Sequence, residues 1–236
     1  MSHAPVMLQE VLDSLCPKEG GVYVDGTIGA GGYSKAILDA APCTVIAIDR
    51  DETVQPAVDW MKAEYKERFI FIRGAFGDVE ALLAENGFGT VDGFVLDIGV
   101  SSMQLDQAER GFSFRHNAPL DMRMDRASGE TAADIVNLYG ETDLADLIYK
   151  YGEERKSRHI AKRIVLSRAE ERIETTGQLA DIVRSVIPKH SKTDPATKTF
   201  QALRIAVNDE LEQLEAALDA SKVCLLYTSP SPRDRG

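Results

Sequence analysis

Short apolar runs alternate with helical periods along the first hundred residues of the chain. The runs predict four strands, over residues 21–25, 44–49, 68–72 and 91–97. The stretches between them have the apolar spacing of helices. Strands separated by helices are typical of βαβ units, so this part of the chain predicts an α/β fold with a parallel sheet.

The pattern changes after Asp97. Residues 98–129 show little periodicity and are interpreted as a functional loop. Helical periods follow, and two of them open on apparent capping boxes, at residues 131–134 and 175–178. Asp194 and Pro195 fit a helix N-cap followed by proline in the first turn. The middle of the chain is therefore predicted to be a helical insertion.

The C-terminal part holds one more amphipathic stretch and then a change of character. Leu211, Leu214 and Leu218 share a predicted helix face, which is expected to cover the sheet. Residues 224–236 resemble nothing before them and are interpreted as appended adapter sequence outside the fold. The predicted domains are residues 1–104 with 206–223, an insertion over 105–205, and this tail.

The charge is uneven along the chain. The net charge is -11, which alone argues against nucleic acid as a partner. Residues 105–205, however, carry 17 Lys and Arg against 16 Asp and Glu, whereas the remainder carries 10 against 22. Six basic residues and no acidic one lie between Arg155 and Ala169. This run indicates a local basic face in an otherwise acidic chain.

Composition excludes several other classes. Three cysteines and four histidines are too few and too scattered for a disulfide framework or a metal site. No uninterrupted apolar run reaches the 18 or more residues of a membrane span, and the N-terminus has no signal-peptide pattern. A cytoplasmic protein without metal or membrane is expected.

A glycine-rich turn follows the first predicted strand. The strand ends at Asp25, and glycines stand at positions 26, 29, 31 and 32 before a helix. Glycines let a backbone approach a ligand closely, and a helix N-terminus offers free N–H groups. The turn lacks the Gly-Lys-Ser/Thr of a phosphate-binding P-loop, and its glycine spacing fits the dinucleotide fingerprint poorly. A purely structural turn remains the alternative.

Other polar or aromatic residues follow the next strands. Asp49 ends the second strand, where a carboxylate can accept both hydroxyl hydrogens of an adenosine ribose. Asp51 is interpreted as a solvated strand-end residue. Phe76 follows the third strand, as a base-stacking or a core residue, and Asp97 ends the fourth. Carboxyl ends of parallel strands share one sheet edge, so these side chains are expected to line one crevice.

Long motifs in unbroken order resemble the small-subunit ribosomal RNA methyltransferase H family, also called MraW. They begin with residues 3–10 (HAPVMLQE), 25–32 (DGTIGAGG) and 47–51 (AIDRD), and continue with 97–106 (DIGVSSMQLD), 109–114 (ERGFSF), 119–125 (PLDMRMD), 151–155 (YGEER) and 195–208 (PATKTFQALRIAVN). The resemblance covers residues 3 to about 222. It implies a class I S-adenosylmethionine-dependent methyltransferase fold, Rossmann-like, and N4 methylation of a decoding-centre cytidine in 16S rRNA of the small ribosomal subunit.

The resemblance also implies site residues. Cofactor contacts fall on Gly31, Gly32, Tyr33, Asp49, Phe76, Asp97 and Gln104. Many relatives have histidine where this chain has Tyr33, which a backbone contact would tolerate. Candidates for holding the base are Ser101, Ser102, Arg110, Phe112 and Phe114, with core packing as the alternative for the two phenylalanines. Because the basic run contains no acidic residue, we interpret Arg155, Lys162 and Arg163 as candidates for RNA phosphate contact, and a solvated helix face is the alternative. No catalytic base is identified.

Two alternatives to this function stay open on the sequence. A nicotinamide-dependent oxidoreductase would also use a Rossmann sheet. The second alternative arises because relatives continue past residue 222 into further strands, so the sheet is expected to be C-terminally incomplete. On that alternative the chain is a remnant that binds cofactor or RNA without turnover.

Overall fold

Four parallel strands form the sheet, as the alternation of strands and helices predicts. The computed structural model describes residues 5–187 and 193–225, apart from the side chain of Ser102. The strands are β1 (Val22–Asp25), β2 (Thr44–Asp49), β3 (Phe69–Arg73) and β4 (Gly93–Val95). Their order in the sheet is β3-β2-β1-β4. The chain therefore moves outward on one side of β1 and returns to its other side for β4, which leaves a topological switch point between β1 and β4.

Helices accompany the strands and make up most of the other regular structure of the described chain. The sheet region contains α1 (Leu8–Leu15), α2 (Gly32–Ala40), α3 (Gln55–Tyr65), α4 (Val79–Glu85) and α11 (Glu210–Cys224). The middle of the chain contains α5 (Ser102–Asp106), α6 (Ala132–Leu138), α7 (Glu141–Gly152), α8 (Ser157–Glu170), α9 (Thr176–Val186) and α10 (Thr197–Val207). The pattern analysis did not predict α1, which buries no residue fully.

The described chain divides into two compact units. Unit 1 comprises Met1–Gly99 with Leu211–Gly236, and unit 2 is Val100–Glu210. These boundaries lie a few residues outside the predicted insertion of 105–205. Val100, Ala206 and Val207 pack against the core of unit 2, and Asn208 donates to the Met122 carbonyl over 2.7 Å. Both ends of the insertion are thus held by contacts that the sequence pattern does not reveal.

Helix packing builds unit 2. Both predicted capping boxes are present. The Thr131 and Thr175 hydroxyls each accept a hydrogen bond from the backbone N–H of the N3 residue. The side chain of that N3 residue in turn accepts from the N–H of the threonine. The helices bury apolar stripes around Leu144, Ile160 and Leu179, which are fully buried. These helices form unit 2, in the part of the chain for which the sequence pattern predicts a helical insertion.

The predicted N-cap at Asp194 is wrong in detail. Helix α10 begins at Thr197, and its N-cap is Ala196. The Asp194 carboxylate instead accepts from the Ala196 N–H over 2.9 Å and forms ion pairs with Arg184. The aspartate therefore closes a turn before the helix and ties it to α9.

The packing face of α11 also differs from the predicted one. Leu211 and Leu218 are exposed, at 43% and 55%. The side chains that reach the core are small: Ala217, Ala220 and Cys224 are buried. Small residues let the helix approach the sheet closely, so this tertiary contact overrides the leucine stripe that predicted the opposite face.

The predicted boundary of the tail needs correction as well. Cys224 completes α11, is only 5% exposed and packs against the core of unit 1. Its carbonyl accepts from the Val91 N–H over 2.8 Å, and Leu225 forms a parallel bridge with Val91. Residues 224 and 225 thus belong to the fold, whereas 226–236 lie outside the described residues.

Ending the chain after Val223 should lower the free energy of unfolding by about 2 kcal/mol, because it removes a buried side chain and leaves the Val91 N–H without its acceptor. A chain that ends after Leu225 keeps both contacts and serves as the matched control. Urea unfolding of the two chains tests this, and equal midpoints would show that Cys224 adds nothing.

Candidate functional site

The glycine turn begins at the switch point of the sheet. The Gly26 N–H donates to the Val95 carbonyl over 2.9 Å, which continues the pairing of β1 with β4 past the strand end. A Cβ atom on Gly26 would lie 2.6 Å from Leu96 Cδ2. A side chain here would have to push Leu96 and Phe94 aside, so glycine lets the chain turn directly beside β4.

The turn then delivers the backbone to the start of α2. Gly31 is the N-cap residue and has a φ of 83°, a conformation that suits glycine. Among the residues that the structure describes, none accepts a hydrogen bond from the N–H groups of Gly32 and Tyr33. The N-terminus of α2 therefore presents two backbone donors to a ligand with negative or carbonyl oxygens.

Asp25 holds the turn from inside. Its side chain is fully buried and accepts from the Thr27 N–H, and from the N–H and hydroxyl of Ser34, over 3.2, 3.1 and 2.7 Å. Burial raises its pKa to about 6, while these hydrogen bonds act in the opposite direction. Asp25 is thus an anchor that connects β1, the turn and α2.

Asp49 stands at the end of β2, as predicted. Its two carboxylate oxygens accept from the Gly29 N–H over 3.2 Å and from the Asp51 N–H over 2.9 Å. Burial raises the pKa of Asp49, and the same two hydrogen bonds oppose that rise. Each carboxylate oxygen has two lone pairs, so both can still accept one hydroxyl hydrogen.

Asp51 is not the solvated residue that the sequence suggested. It is 3% exposed, and its carboxylate accepts from the N–H and the hydroxyl of Thr53 over 2.9 and 2.8 Å. It caps the short 3₁₀ helix Glu52–Val54 that leads into α3. Its role is to shape the chain after β2.

Phe76 and Asp97 follow β3 and β4 at the same edge. Phe76 is 9% exposed. If Gly26 had a Cβ atom, that atom would lie 3.2 Å from the Cβ of Phe76, so Phe76 packs against the glycine turn. The Asp97 N–H donates to the Thr27 hydroxyl over 2.7 Å, while its carboxylate side is exposed. The carboxyl edge of the sheet therefore gathers Asp25, Asp49, Phe76 and Asp97, as the strand assignment predicts.

Tyr33 points its side chain away from the backbone donors of α2. Its hydroxyl donates to the Val6 carbonyl, and the residue is 8% exposed. Pro5 covers Gly32, where a Cβ would lie 2.3 Å from the proline ring. The segment before α1 is thus tied to the turn, and Tyr33 offers its backbone N–H rather than its side chain.

The remaining predicted contacts lie in unit 2. Gln104 is 6% exposed and forms a capping box with Ser101, whose N–H donates to Gln104 Oε1 over 2.9 Å. The pair fixes the first turn of α5. Ser102 follows in the same helix, and its side chain is outside the described residues.

The aromatic and arginine candidates of the loop are largely buried. Arg110 is 2% exposed and donates to the carbonyls of Arg123 and Met124. Phe112 belongs to the core of unit 2, and Phe114 packs edge-on against Phe200 with ring centroids 4.8 Å apart. These positions favour the core alternative for both phenylalanines and give Arg110 the task of holding the loop together.

The basic run occupies one face of α8. Helix α8 buries Ser157, Ile160, Ala161 and Ile164 against unit 2. Arg155, Lys162 and Arg163 are exposed, whereas Arg168 is half-buried and donates to the Val136 carbonyl over 2.8 Å. We call Arg155, Lys156, Arg158, Lys162 and Arg163 the basic face; Arg168 is not part of it.

The described residues contain neither a metal-ion cluster nor a membrane-spanning helix. No three or more His, Cys, Asp or Glu side chains there are grouped so that they could hold a metal ion. None of the described helices is both long and apolar enough to cross a membrane.

Comparison with known proteins places the chain in a methyltransferase family. Residues 1–228 match the family model described as the MraW methylase family. Proteins named ribosomal RNA small subunit methyltransferase H from Maricaulis maris, Paramagnetospirillum magneticum and Rhodospirillum rubrum are 58%, 56% and 56% identical over 93% of this chain. The matches cover 66%, 69% and 68% of those proteins, so the chain spans about two thirds of their length.

The parallel sheet with its flanking helices defines a class I methyltransferase fold. Within that class, the chain belongs to the MraW methylase family. The family implies S-adenosylmethionine as methyl donor. Among solved structures, protein arginine methyltransferase 10 of Arabidopsis thaliana matches with a TM-score of 0.33 and 14% identity, over 70% of this chain and 50% of that one, a likeness too low to bear on the site.

The raised pKa of Asp25 predicts a specific pH dependence. Because the folded state holds the Asp25 proton up to about pH 6 and the unfolded state releases it near 3.8, this residue's contribution to stability falls as the pH rises from 4 to 6 and is constant above. Asp25→Asn removes that contribution.

The measurement is urea unfolding of the parent and Asp25→Asn proteins between pH 4 and pH 7. The stability of the parent relative to the variant should decline across this interval and then level off. A difference that does not change with pH would show that Asp25 is charged throughout.

Proposed function

We propose that the chain binds the methyl donor and the RNA substrate and catalyses S-adenosylmethionine-dependent N4 methylation of a cytidine in 16S rRNA. The observation that carries the proposal is the carboxyl edge of the sheet, where Asp49 and the N-terminus of α2 flank one glycine turn. The family's own relatives are named as small-subunit ribosomal RNA methyltransferases, and the substrate is carried over from them to this chain.

The donor fits the residues that are present. Asp49 retains a lone pair on each oxygen beyond those used by Gly29 and Asp51, which suits the two hydroxyl groups of a ribose. The Gly32 and Tyr33 N–H groups suit a carboxylate. Phe76 beside the turn provides an apolar wall for adenine. These are the residues that we propose hold the donor.

The reaction depends more on the alignment of the methyl donor with the cytosine amine than on acid–base chemistry. S-adenosylmethionine supplies a methyl group that its sulfonium already activates. A cytosine amine is a weak nucleophile because its lone pair is delocalised into the ring. Asp97 is exposed at the same edge and can accept an amine hydrogen, which would draw that lone pair back to the nitrogen. We therefore propose Asp97 as the group that orients the amine or the donor.

The RNA contact is proposed for the basic face of α8. Lys162 and Arg163 are exposed neighbours on a helix whose opposite side is buried. A chain with a net charge of -11 needs a local surplus of cations to bind RNA phosphates. Because the run has no acidic member, its positive charges are not neutralised within the run.

Asp49→Ala should weaken binding of S-adenosylhomocysteine about tenfold, since two hydrogen bonds to a charged acceptor are lost. Isothermal titration calorimetry measures this directly. Asp59→Ala is the matched control, because Asp59 is an exposed carboxylate on α3 of the same unit. NAD as a second ligand should not bind, which separates this proposal from the nicotinamide alternative.

Equal affinities of the Asp49 and Asp59 variants for S-adenosylhomocysteine would show that Asp49 does not contact the ribose. Asp51→Ala is a poor control, because loss of its cap should destabilise unit 1 by about 0.5–2 kcal/mol whatever its role in binding.

Lys162→Glu combined with Arg163→Glu should weaken binding of a 16S rRNA fragment and flatten its dependence on salt concentration. Affinity for S-adenosylhomocysteine should not change. Lys62→Glu combined with Lys66→Glu makes the same charge change on exposed residues of unit 1 and is the control. If the α8 variant keeps the salt slope of the parent, the basic face is only a solvated helix surface.

Activity of the chain is tested separately from binding. Transfer of labelled methyl groups to small subunits, set beside calorimetric binding of S-adenosylhomocysteine, distinguishes an enzyme from a remnant that only binds. Binding without transfer would leave the site assignment intact and contradict the proposed turnover.

A further inference from the structure

An open depression of about 530 Å³ lies on the surface of unit 2, beside α7 and the end of α10. It is lined by three tyrosines and three aspartates, at positions 139, 149 and 151 and at 143, 146 and 209. We call it the acidic tyrosine cavity. None of these residues belongs to the cofactor site or to the basic face of α8.

Negative charge gathers around one wall of this cavity. The Tyr139 hydroxyl donates to Glu130 Oε2 over 3.0 Å. Burial raises the Tyr139 pKa first, and Glu130, Asp209 and Asp143 raise it further. These carboxylates therefore lie close enough to act on one phenol, and they would also attract a cation that enters beside it.

Two kinds of ligand fit poorly. A phosphate group would meet three aspartates against Lys150 and against Arg158, which pairs with Asp146 over 2.8 Å, so negative charge still exceeds positive charge and an RNA backbone is repelled. A metal ion needs several donors at short range, and the described residues include no group of three or more suitable side chains. The charges are instead spread around a space large enough for an organic cation.

The tyrosines supply the second half of the recognition. The Lys150 ammonium already lies over the Tyr151 ring, 4.6 Å from its centroid. Tyr149 is 61% exposed, so much of its surface is open to an incoming group. Aromatic rings beside carboxylates bind alkylated or delocalised cations through cation–π attraction combined with charge.

We propose that the acidic tyrosine cavity docks a cationic side chain of a basic polypeptide, and that it prefers arginine to lysine. A planar guanidinium stacks on an aromatic face and is more weakly hydrated than an ammonium, which accounts for the preference. The inference goes beyond the proposed function, because it needs neither the cofactor nor the basic face. A partner with arginine-rich segments, as RNA-binding proteins have, fits this chemistry.

The probe is a capped tri-arginine peptide, titrated into the full chain near 0.15 M salt and followed by nuclear magnetic resonance of the tyrosine rings. Capped tri-lysine should bind more weakly. Tyr149→Ala should weaken tri-arginine binding about threefold. Asp143→Asn combined with Asp209→Asn should weaken it about tenfold. Asparagine suits position 209, where φ is 49°.

Two controls remove nonspecific explanations. Leu166→Ala removes an exposed apolar side chain of α8, and Glu170→Gln with Glu171→Gln removes two exposed charges from unit 2. Both should bind tri-arginine like the parent. Thermal unfolding of every variant verifies that unit 2 is folded.

Several results would overturn the proposal. They are absence of binding by the parent at millimolar peptide, equal binding of tri-lysine, and equal losses in the control variants. Cavity variants that lose affinity for a single-stranded RNA oligonucleotide but keep it for tri-arginine would assign the cavity to a nucleobase instead. A failure of the cofactor or salt-slope experiments above would not touch this result.

Discussion

The buried carboxylate of Asp25 is the constraint on which the carboxyl edge of unit 1 depends. A charge there is unfavourable, which is why burial raises its pKa to about 6. Its hydrogen bonds with Thr27 and Ser34 nevertheless tie the last residue of β1 to the turn and to the first turn of α2. Because the turn is held in this way, Gly29 reaches Asp49, and the N–H groups of Gly32 and Tyr33 have no acceptor among the described residues.

Positive and negative charges lie on different helices of unit 2. The basic face lies on α8, and the acidic tyrosine cavity lies beside α7. The two meet at an exposed ion pair between Arg158 and Asp146, 2.8 Å apart. This division explains how a chain of strongly acidic composition can bear a surface proposed for RNA.

Local patterns predicted much of the fold because they report on forces within a few residues. The strands depend on burial of their apolar residues. The two capping boxes depend on a hydroxyl three residues before the N–H that donates to it, and the glycine turn depends on the absence of a Cβ at Gly26. The predicted packing of Leu211 and Leu218 in α11 and the predicted N-cap at Asp194 are wrong for the opposite reason. There, Ala217 and Ala220 pack more closely than leucine could, and Arg184 competes for the aspartate.

The sequence by itself determined the parallel sheet, the helical middle unit, and the positions of Asp49, Phe76 and Asp97 at strand ends, because strand direction alone places those ends at one edge. The tertiary structure decided which side chains are available. It buried Arg110 and Phe112, joined Cys224 to the core, and brought Asp209 beside the tyrosines and aspartates of residues 139–151. Such outcomes depend on contacts between residues far apart in the chain, and spacing along a sequence carries no record of them.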